Sequence, residues 1–192
     1  LFALRGIWLL SILIVCAYTA YKFTDDISLY ANEVLAYSQA GAVGIGTLFL
    51  WLRSLAALSI GFISDRYDKS ILLSLLFVMV ILGAISLGYG LSNSVLIFMV
   101  LTFAAFGIYS IRALYFAVQK EAGIPLIYSG TAIGLISFIG FTPDVFAGPL
   151  MGLILDENPG EKGHHILFTL LALIAFIGLA ASLAFMKIKK SR

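Results

Sequence analysis

The chain has 192 residues, of which 61% are apolar and only 11% are charged. A soluble domain carries about 25% charged residues, so this composition excludes a water-soluble globular domain and indicates a chain dissolved in a lipid bilayer. The formal net charge is +2, and we expect no nucleic acid partner. Cys16 is the single cysteine, so no disulfide can form within the chain.

Long apolar runs predict six membrane-spanning helices, because each crossing of about 30 Å needs roughly 20 apolar residues. The predicted boundaries are Gly6–Tyr21, Ser38–Ser64, Ile71–Tyr89, Val95–Val118, Leu126–Leu155 and Ile166–Met186. Backbone groups in lipid must be hydrogen-bonded within the protein, which excludes open sheets. We therefore predict an all-α polytopic membrane protein in which residues 1–192 form one six-helix transmembrane domain.

The connections between these helices carry an uneven distribution of positive charge. Lys22–Ala36 is predicted to be a polar, partly amphipathic connection, and residues 156–165 a polar outer loop. The side that holds both termini has eight of the twelve Lys and Arg residues: Arg5, Arg66, Lys69, Lys120, Lys187, Lys189, Lys190 and Arg192. The opposite side has Lys22 and Lys162. The positive-inside rule therefore predicts cytoplasmic termini in a bacterial cytoplasmic (inner) membrane.

Three ionisable residues fall inside predicted spans: Arg53, Arg112 and Asp144. Each costs about 2.5–3.5 kcal/mol at a helix centre, so each needs a compensating partner. At 1.5 Å per residue, Arg53 and Asp144 lie about 16–18 Å from the nearest helix end, close to the midplane. Arg112 is only about 9 Å from its helix end. Its side chain is therefore expected to reach the cytoplasmic surface or to serve an inner gate.

Small residues share the helical face of each midplane charge, as is typical of close helix–helix contacts in lipid. They are Gly46, Ala57 and Gly61 around Arg53, and Ser137, Gly140, Gly148 and Gly152 around Asp144. Pro143 and Pro149 flank Asp144, and a broken helix beside a midplane charge is one way to build a substrate site. We expect both charges to face the bundle or a water-filled cavity.

The roles of these residues remain open at this level. Arg53 is expected either to bind a ligand or to tie helices together through a carbonyl or Asp144. Asp144 is expected either to couple transport to protons or to neutralise an arginine. Tyr18 and Tyr109 are candidate cavity residues. His164 and His165 are predicted to lie in a solvated outer loop without a third ligand, so we predict no metal site and no cofactor.

The segment Gly61–Ser70, GFISDRYDKS, resembles the signature turn GxxxDRxGRR of the major facilitator superfamily. Gly61, Asp65, Arg66 and Lys69 match it, whereas Asp68 replaces the usual glycine. The run from residue 112 to residue 156 further resembles a bacterial branch described as nitrate/nitrite-porter-like. Arg53, Gly61 and Asp65 also have the spacing of Asp144, Gly152 and Asp156, as two inverted three-helix repeats would produce.

The resemblance implies that the chain is the C-terminal, six-helix half of a twelve-helix secondary transporter. Its solute would bind between two halves that rock about it. By the same resemblance, Asp65, Arg66 and Lys69 would form a cytoplasmic gate with Arg112 and Glu121. The chain begins with Leu1 rather than Met, so we expect it to continue upstream into the N-terminal half.

Three classes of function compete. A transporter of a small, anionic solute, with proton coupling as an option, is favoured by an arginine at the midplane. A membrane enzyme would need an intramembrane nucleophile and base, which the predicted spans lack. We therefore predict no enzymatic activity. The third class is a non-transporting interaction module or an inactive half-transporter, because six helices supply one wall of a transport path.

Overall fold

The protein is an all-α bundle in the computed structural model, which describes residues 5–118 and 124–190. The helices in these ranges are α1 (Arg5–Lys22), α2 (Ile27–Glu33), α3 (Gln39–Ser64), α4 (Lys69–Gly88), α5 (Ser94–Val118), α6 (Ser129–Gly140), α7 (Pro143–Glu157) and α8 (Glu161–Lys190). Because α1 runs on into α2 and α6 into α7, these helices form 6 segments long and apolar enough to cross a membrane. The prediction of an all-α polytopic membrane protein is confirmed.

The first span is longer than predicted, because Lys22–Ala36 is largely helical rather than a connection. A 3-10 turn, Phe23–Asp26, joins α1 to α2. Thr24 stabilises the transition from α-helix to 3-10 turn, since its Oγ1 donates to the Tyr21 carbonyl at 2.7 Å. The polar residues did not end the helix because α2 buries an apolar stripe. That stripe consists of Ile27, Tyr30 and Ala31.

The fifth span is broken next to Asp144, as the prolines predicted. The chain leaves the helix at Phe141 and Thr142, and Pro143 begins α7. A proline nitrogen cannot bond the carbonyl four residues earlier, which is that of Ile139. Thr142 Oγ1 donates to this carbonyl at 2.8 Å and satisfies it. Pro149 lies within α7 without ending it.

The packing of the spans repeats between the two halves of the chain. α4 packs on α5 and α8, α1 packs on α8, α3 packs on α5, and α1 packs on α6 and α7. Exchanging the first three spans for the last three leaves these contacts unchanged, whereas the α2–α3 and α7–α8 contacts have no comparable counterpart among the described residues. The core lies where α1, α4, α5 and α8 meet, and it contains large, fully buried side chains such as Phe77, Leu114 and Tyr115.

The second and fifth spans lie at the edges of the bundle and leave one face open. Only 22% of the apolar window is buried in each of them, against 61% in the first span. Gly61, Gly148 and Gly152 have no neighbouring atom where a side chain would project. By contrast, Gly46 packs on Ser28 and Gly140 on Ile14. The predicted close contacts therefore exist at two of these glycines, whereas Gly61 is exposed and Gly148 and Gly152 line a cleft beside the first span.

Candidate functional site

A polar stripe on α1 and the turn after it forms one wall of the candidate site. Tyr18, Tyr21, Lys22 and Asp25 follow the spacing i, i+3, i+4 and i+7, which places them on one helical face. Lys22 Nζ lies 3.0 Å from Asp25 Oδ2, so the two charges on this stripe pair with one another. The sequence analysis missed Lys22 and Asp25, because it ended the first helix at Tyr21 and assigned both to an outer connection.

Asp144 meets this stripe at the first turn of α7. The Tyr18 hydroxyl donates to its carboxylate, at 3.1 Å from Oδ1 and 3.0 Å from Oδ2. Lys22 Nζ lies 3.4 Å from Oδ1. Gly140 makes this approach possible, since Ile14 of α1 packs where a side chain would stand, and the Phe141 ring packs edge-on against Tyr18. Asp144 is thus compensated by Tyr18 and Lys22 and not by Arg53.

Two arginines from different helices meet at the single ring of Tyr21. Arg53 Nη1 donates to the Tyr21 hydroxyl at 2.8 Å, and its Cζ lies 5.9 Å from the ring centroid. Arg112 Cζ lies 3.7 Å from the same centroid, which is a cation–π contact. Tyr109 packs edge-on against Tyr21 with a centroid distance of 6.3 Å.

The side chain of Arg112 points to α1, contrary to the expectation that it reaches the cytoplasmic surface, and its role in a gate stays a prediction. Its side chain extends to α1 and is half-buried between Tyr21 and Tyr18. The physical reason is that two stacked aromatic faces stabilise a guanidinium locally. Its Nη1 is buried and has no hydrogen-bond partner in the described part of the chain. Neither Arg112 nor Arg53 forms an ion pair with a carboxylate among those residues.

These side chains form a single group near the middle of their spans. We call Tyr18, Tyr21, Lys22, Asp25, Arg53, Tyr109, Arg112 and Asp144 the central polar cluster. All four residues predicted to bind substrate belong to it: Arg53, Asp144, Tyr18 and Tyr109. Their role in binding stays a prediction. The expected direct tie between Arg53 and Asp144 is absent, because α1 lies between them and supplies each with its own partner.

Two clefts open beside the central polar cluster. The arginine cleft, of about 290 Å³, lies between the first and second spans and is lined by Arg53, Tyr21 and Tyr109. The acidic cleft, of about 560 Å³, lies between the first and fifth spans and is lined by Lys22, Asp26 and Asp156. Asp25 borders both clefts. Arg53 and Asp144 are exposed in the isolated bundle, and each faces one open side of the first span.

The segment that resembles the superfamily turn joins α3 to α4. Asp65 and Arg66 are exposed there, and Lys69 is the first residue of α4. Asp68 caps α4, because its Oδ1 accepts hydrogen bonds from the amides of Ser70 at 2.9 Å and Ile71 at 3.3 Å. This explains an aspartate where the pattern has glycine. Glu121, the other predicted gate residue, lies outside the described residues.

The two histidines are not in a loop, contrary to the sequence prediction. α8 begins at Glu161, so both lie in its first turns. His164 is 2% exposed, and its Nε2 lies 3.0 Å from Glu33 Oε2. Its ring packs edge-on against Tyr30. His164 thereby anchors α2 to α8. No group of three or more potential metal-ligating side chains occurs within residues 5–118 and 124–190.

A bundle of six long apolar helices with paired charges at mid-depth defines an integral membrane protein. Comparisons with known proteins place its relatives in the inner membrane. The chain is 41% identical to inner membrane protein YihN of Escherichia coli K12 over 80 residues, which cover 42% of the chain and 19% of YihN. It is 27% identical to inner membrane protein YqcE of the same organism over 192 residues, which cover 96% of the chain and 45% of YqcE.

No family model matches the chain. The aligned region spans less than half the length of each of these two relatives. The chain is therefore an integral inner membrane protein similar to part of larger proteins.

Proposed function

We propose that this chain is the C-terminal, six-helix half of a major facilitator superfamily transporter that moves a small anionic solute by alternating access. One observation carries the proposal: Arg53 and Arg112 converge on Tyr21 inside the apolar spans without a carboxylate partner among the described residues. Guanidinium groups bind carboxylate-like anions in two-point geometry. A solute of this charge is the natural partner for them.

The energetic argument is that unpaired cations at this depth are costly. Each arginine costs about 2.5–3.5 kcal/mol at the centre of a spanning helix, and such residues usually mark substrate or ion pathways. The rings of Tyr18 and Tyr21 and the hydroxyls of Tyr21 and Tyr115 compensate only part of this cost. Lys22 is itself a cation, and the two carboxylates of the cluster, Asp25 and Asp144, are paired with it rather than with an arginine. An anion that enters the arginine cleft completes the compensation of Arg53.

The open faces of the second and fifth spans support a second six-helix half as the partner. A transport path needs two walls, and the described helices supply one of them. Gly61, which has open space where a side chain would project, allows another helix to approach closely. YqcE, which is more than twice as long as the region it shares with this chain, has the length for two such halves.

The same proposal assigns an orientation and a gate. Both termini would be cytoplasmic, which puts the α3–α4 turn with Asp65, Arg66 and Lys69 at the cytoplasmic rim. Exposed charges at a rim can form and break ion pairs between two rigid-body states. Asp144, at the break in the fifth span, would exchange protons during symport.

Arg53→Ala in the full-length protein tests the proposal. Uptake of radiolabelled anions, including nitrate, lactate, gluconate and succinate, is measured in cells at matched expression. We expect at least one anion to accumulate with the unmodified protein and the variant to lose that accumulation. Arg5→Ala, an exposed position at the start of α1, is the control and should transport normally. Unchanged uptake by Arg53→Ala would reject the binding role, and no uptake of any anion would reject anion transport.

A further inference from the structure

Hydroxyl groups surround Arg53 in the arginine cleft. Thr24, Ser28 and Thr47 line it together with the phenols of Tyr21 and Tyr109. A volume of about 290 Å³ is at the small end of ligand pockets, which run from about 300 to 1,000 Å³. This wall therefore suits a small solute with many polar atoms.

The hydrogen bonds of these wall groups show what a ligand must bring. Thr24 Oγ1 donates to the Tyr21 carbonyl at 2.7 Å, and Thr47 Oγ1 donates to the Val43 carbonyl at 3.0 Å. Each hydroxyl has a single hydrogen, so both present only lone pairs to the cleft. Thr24 also shares a side-chain hydrogen bond with Tyr109, which leaves Thr47 and Asp25 as the more available acceptors. The Asp25 carboxylate is also an acceptor. A bare anion has no donors for these three groups, whereas ligand hydroxyls can donate to them.

The charged side chains that line the arginine cleft set the charge of the ligand. Arg53 and Asp25 are the charged residues of this lining, and Asp25 is already paired with Lys22. Arg53 has no carboxylate partner among the described residues. A single negative charge on the ligand pairs with Arg53, whereas a second would face Asp25.

We infer that the solute of the arginine cleft is a small hydroxylated monocarboxylate of the aldonic acid type, whose carboxylate contacts Arg53 and whose hydroxyls donate to Thr24, Thr47 and Asp25. The inference rests on the proposed function and narrows its substrate class. The Tyr21 hydroxyl accepts from Arg53, so its own hydrogen remains a donor for the ligand carboxylate. Neutral polyols lack the negative charge, unhydroxylated acids lack the hydroxyl donors, and dicarboxylates carry a second negative charge.

A series of six-carbon probes tests each feature separately by isothermal titration calorimetry on the purified full-length protein. Gluconate carries one charge and five hydroxyls, hexanoate the charge alone, sorbitol the hydroxyls alone, and glucarate two charges with hydroxyls. We expect gluconate to bind at least about tenfold more tightly than each of the other three. The physical cause is that a bound ligand without hydroxyls shields the acceptors of the cleft from water but donates no hydrogen bond to them. A missing hydrogen bond of this kind costs more than a formed one gains.

Thr47→Val separates the hydroxyl contact from the overall fold. The substitution keeps the shape of the side chain. It should lower the preference for gluconate over hexanoate at least about fivefold, while the affinity for hexanoate itself does not fall. Thr102→Val is the matched control, since Thr102 also donates to the carbonyl four residues earlier, at 2.8 Å, outside the cleft. The ratio should not move in this control.

Several outcomes overturn the inference. Equal binding of hexanoate removes the hydroxyl requirement, and tighter binding of glucarate removes the single charge. Binding of none of the four probes, together with uptake of another anion that depends on Arg53, rejects the substrate class and leaves the proposed function standing. Sorbitol binding as tight as gluconate, with no anion taken up, rejects both.

Discussion

Tyr21 is the residue through which both arginines are held, and two substitutions separate its two contacts. Tyr21→Phe keeps the ring under Arg112 but removes the hydroxyl that Arg53 bonds at 2.8 Å. This bond lies on the exposed side of the cluster, so its loss should cost about 1 kcal/mol in the free energy of unfolding. Tyr21→Leu also removes the ring that Arg112 contacts at 3.7 Å.

The contact of Arg112 with the Tyr21 ring stabilises the protein more than the hydrogen bond of Arg53, because Arg112 is half-buried. A desolvated cation–π contact contributes about 2 kcal/mol, so Tyr21→Leu should lower the free energy of unfolding by about 3 kcal/mol in all. The assay is thermal or denaturant unfolding of the purified full-length protein. Tyr67→Phe and Tyr67→Leu are matched controls at a tyrosine that is 65% exposed, and neither should change stability by more than about 0.5 kcal/mol.

A double-mutant cycle with Arg112→Gln isolates the pairwise interaction. If the ring stabilises the guanidinium, Tyr21→Leu should cost about 2 kcal/mol less in the Arg112→Gln background than in the native one. Additive effects of the two substitutions, or equal stability of Tyr21→Leu and Tyr21→Phe, would refute the reasoning that Arg112 depends on the Tyr21 ring.

Two further predictions concern the junction of α1 with the fifth span. Gly140→Ala places a methyl group 2.5 Å from Ile14 Cγ2 and should lower the free energy of unfolding by about 1–3 kcal/mol. The control Gly134→Ala meets nothing within 4 Å and should be neutral. Equal unfolding midpoints for the two variants would contradict the packing of α1 on Gly140. Asp144→Asn removes the carboxylate that pairs with Lys22, and with it the proposed coupling group, while an amide oxygen remains for the Tyr18 hydroxyl. In proteoliposomes the Asp144→Asn variant should lose accumulation driven by a pH gradient but retain solute exchange. The control Asp156→Asn should retain both activities. Accumulation that persists in Asp144→Asn excludes Asp144 as the coupling group.

Much of the fold could be predicted because lipid imposes a simple rule. Spans of about 20 apolar residues leave few alternatives, so the all-α fold with six long apolar helices could be predicted. The errors fell where polar residues lie in helices. Lys22–Ala36 is mostly helical because α2 buries its own apolar stripe, and His164 is in α8 because a carboxylate from a distant segment pairs with it.

The candidate site could be predicted only in part. Arg53 and Asp144 stand out because a charge in an apolar run is expensive wherever the run packs. Their partners do not stand out. Tyr21 is one aromatic among many, and Lys22 looked like the flank of a helix. The spacing of Tyr18, Tyr21, Lys22 and Asp25 would have shown their common face only if the helix had been continued past Tyr21.

What the sequence determined by itself is the solvent of this protein, its number of crossings and which charges require an explanation, since these follow from hydrophobicity and length. What only the tertiary structure decided is which charge meets which partner. The wall of α1 between Arg53 and Asp144 turns an expected ion pair into two separate contacts, and Arg112 reaches inward to Tyr21 instead of outward to the surface. Such choices depend on distances of a few ångströms between helices far apart in the chain, and local sequence does not encode them.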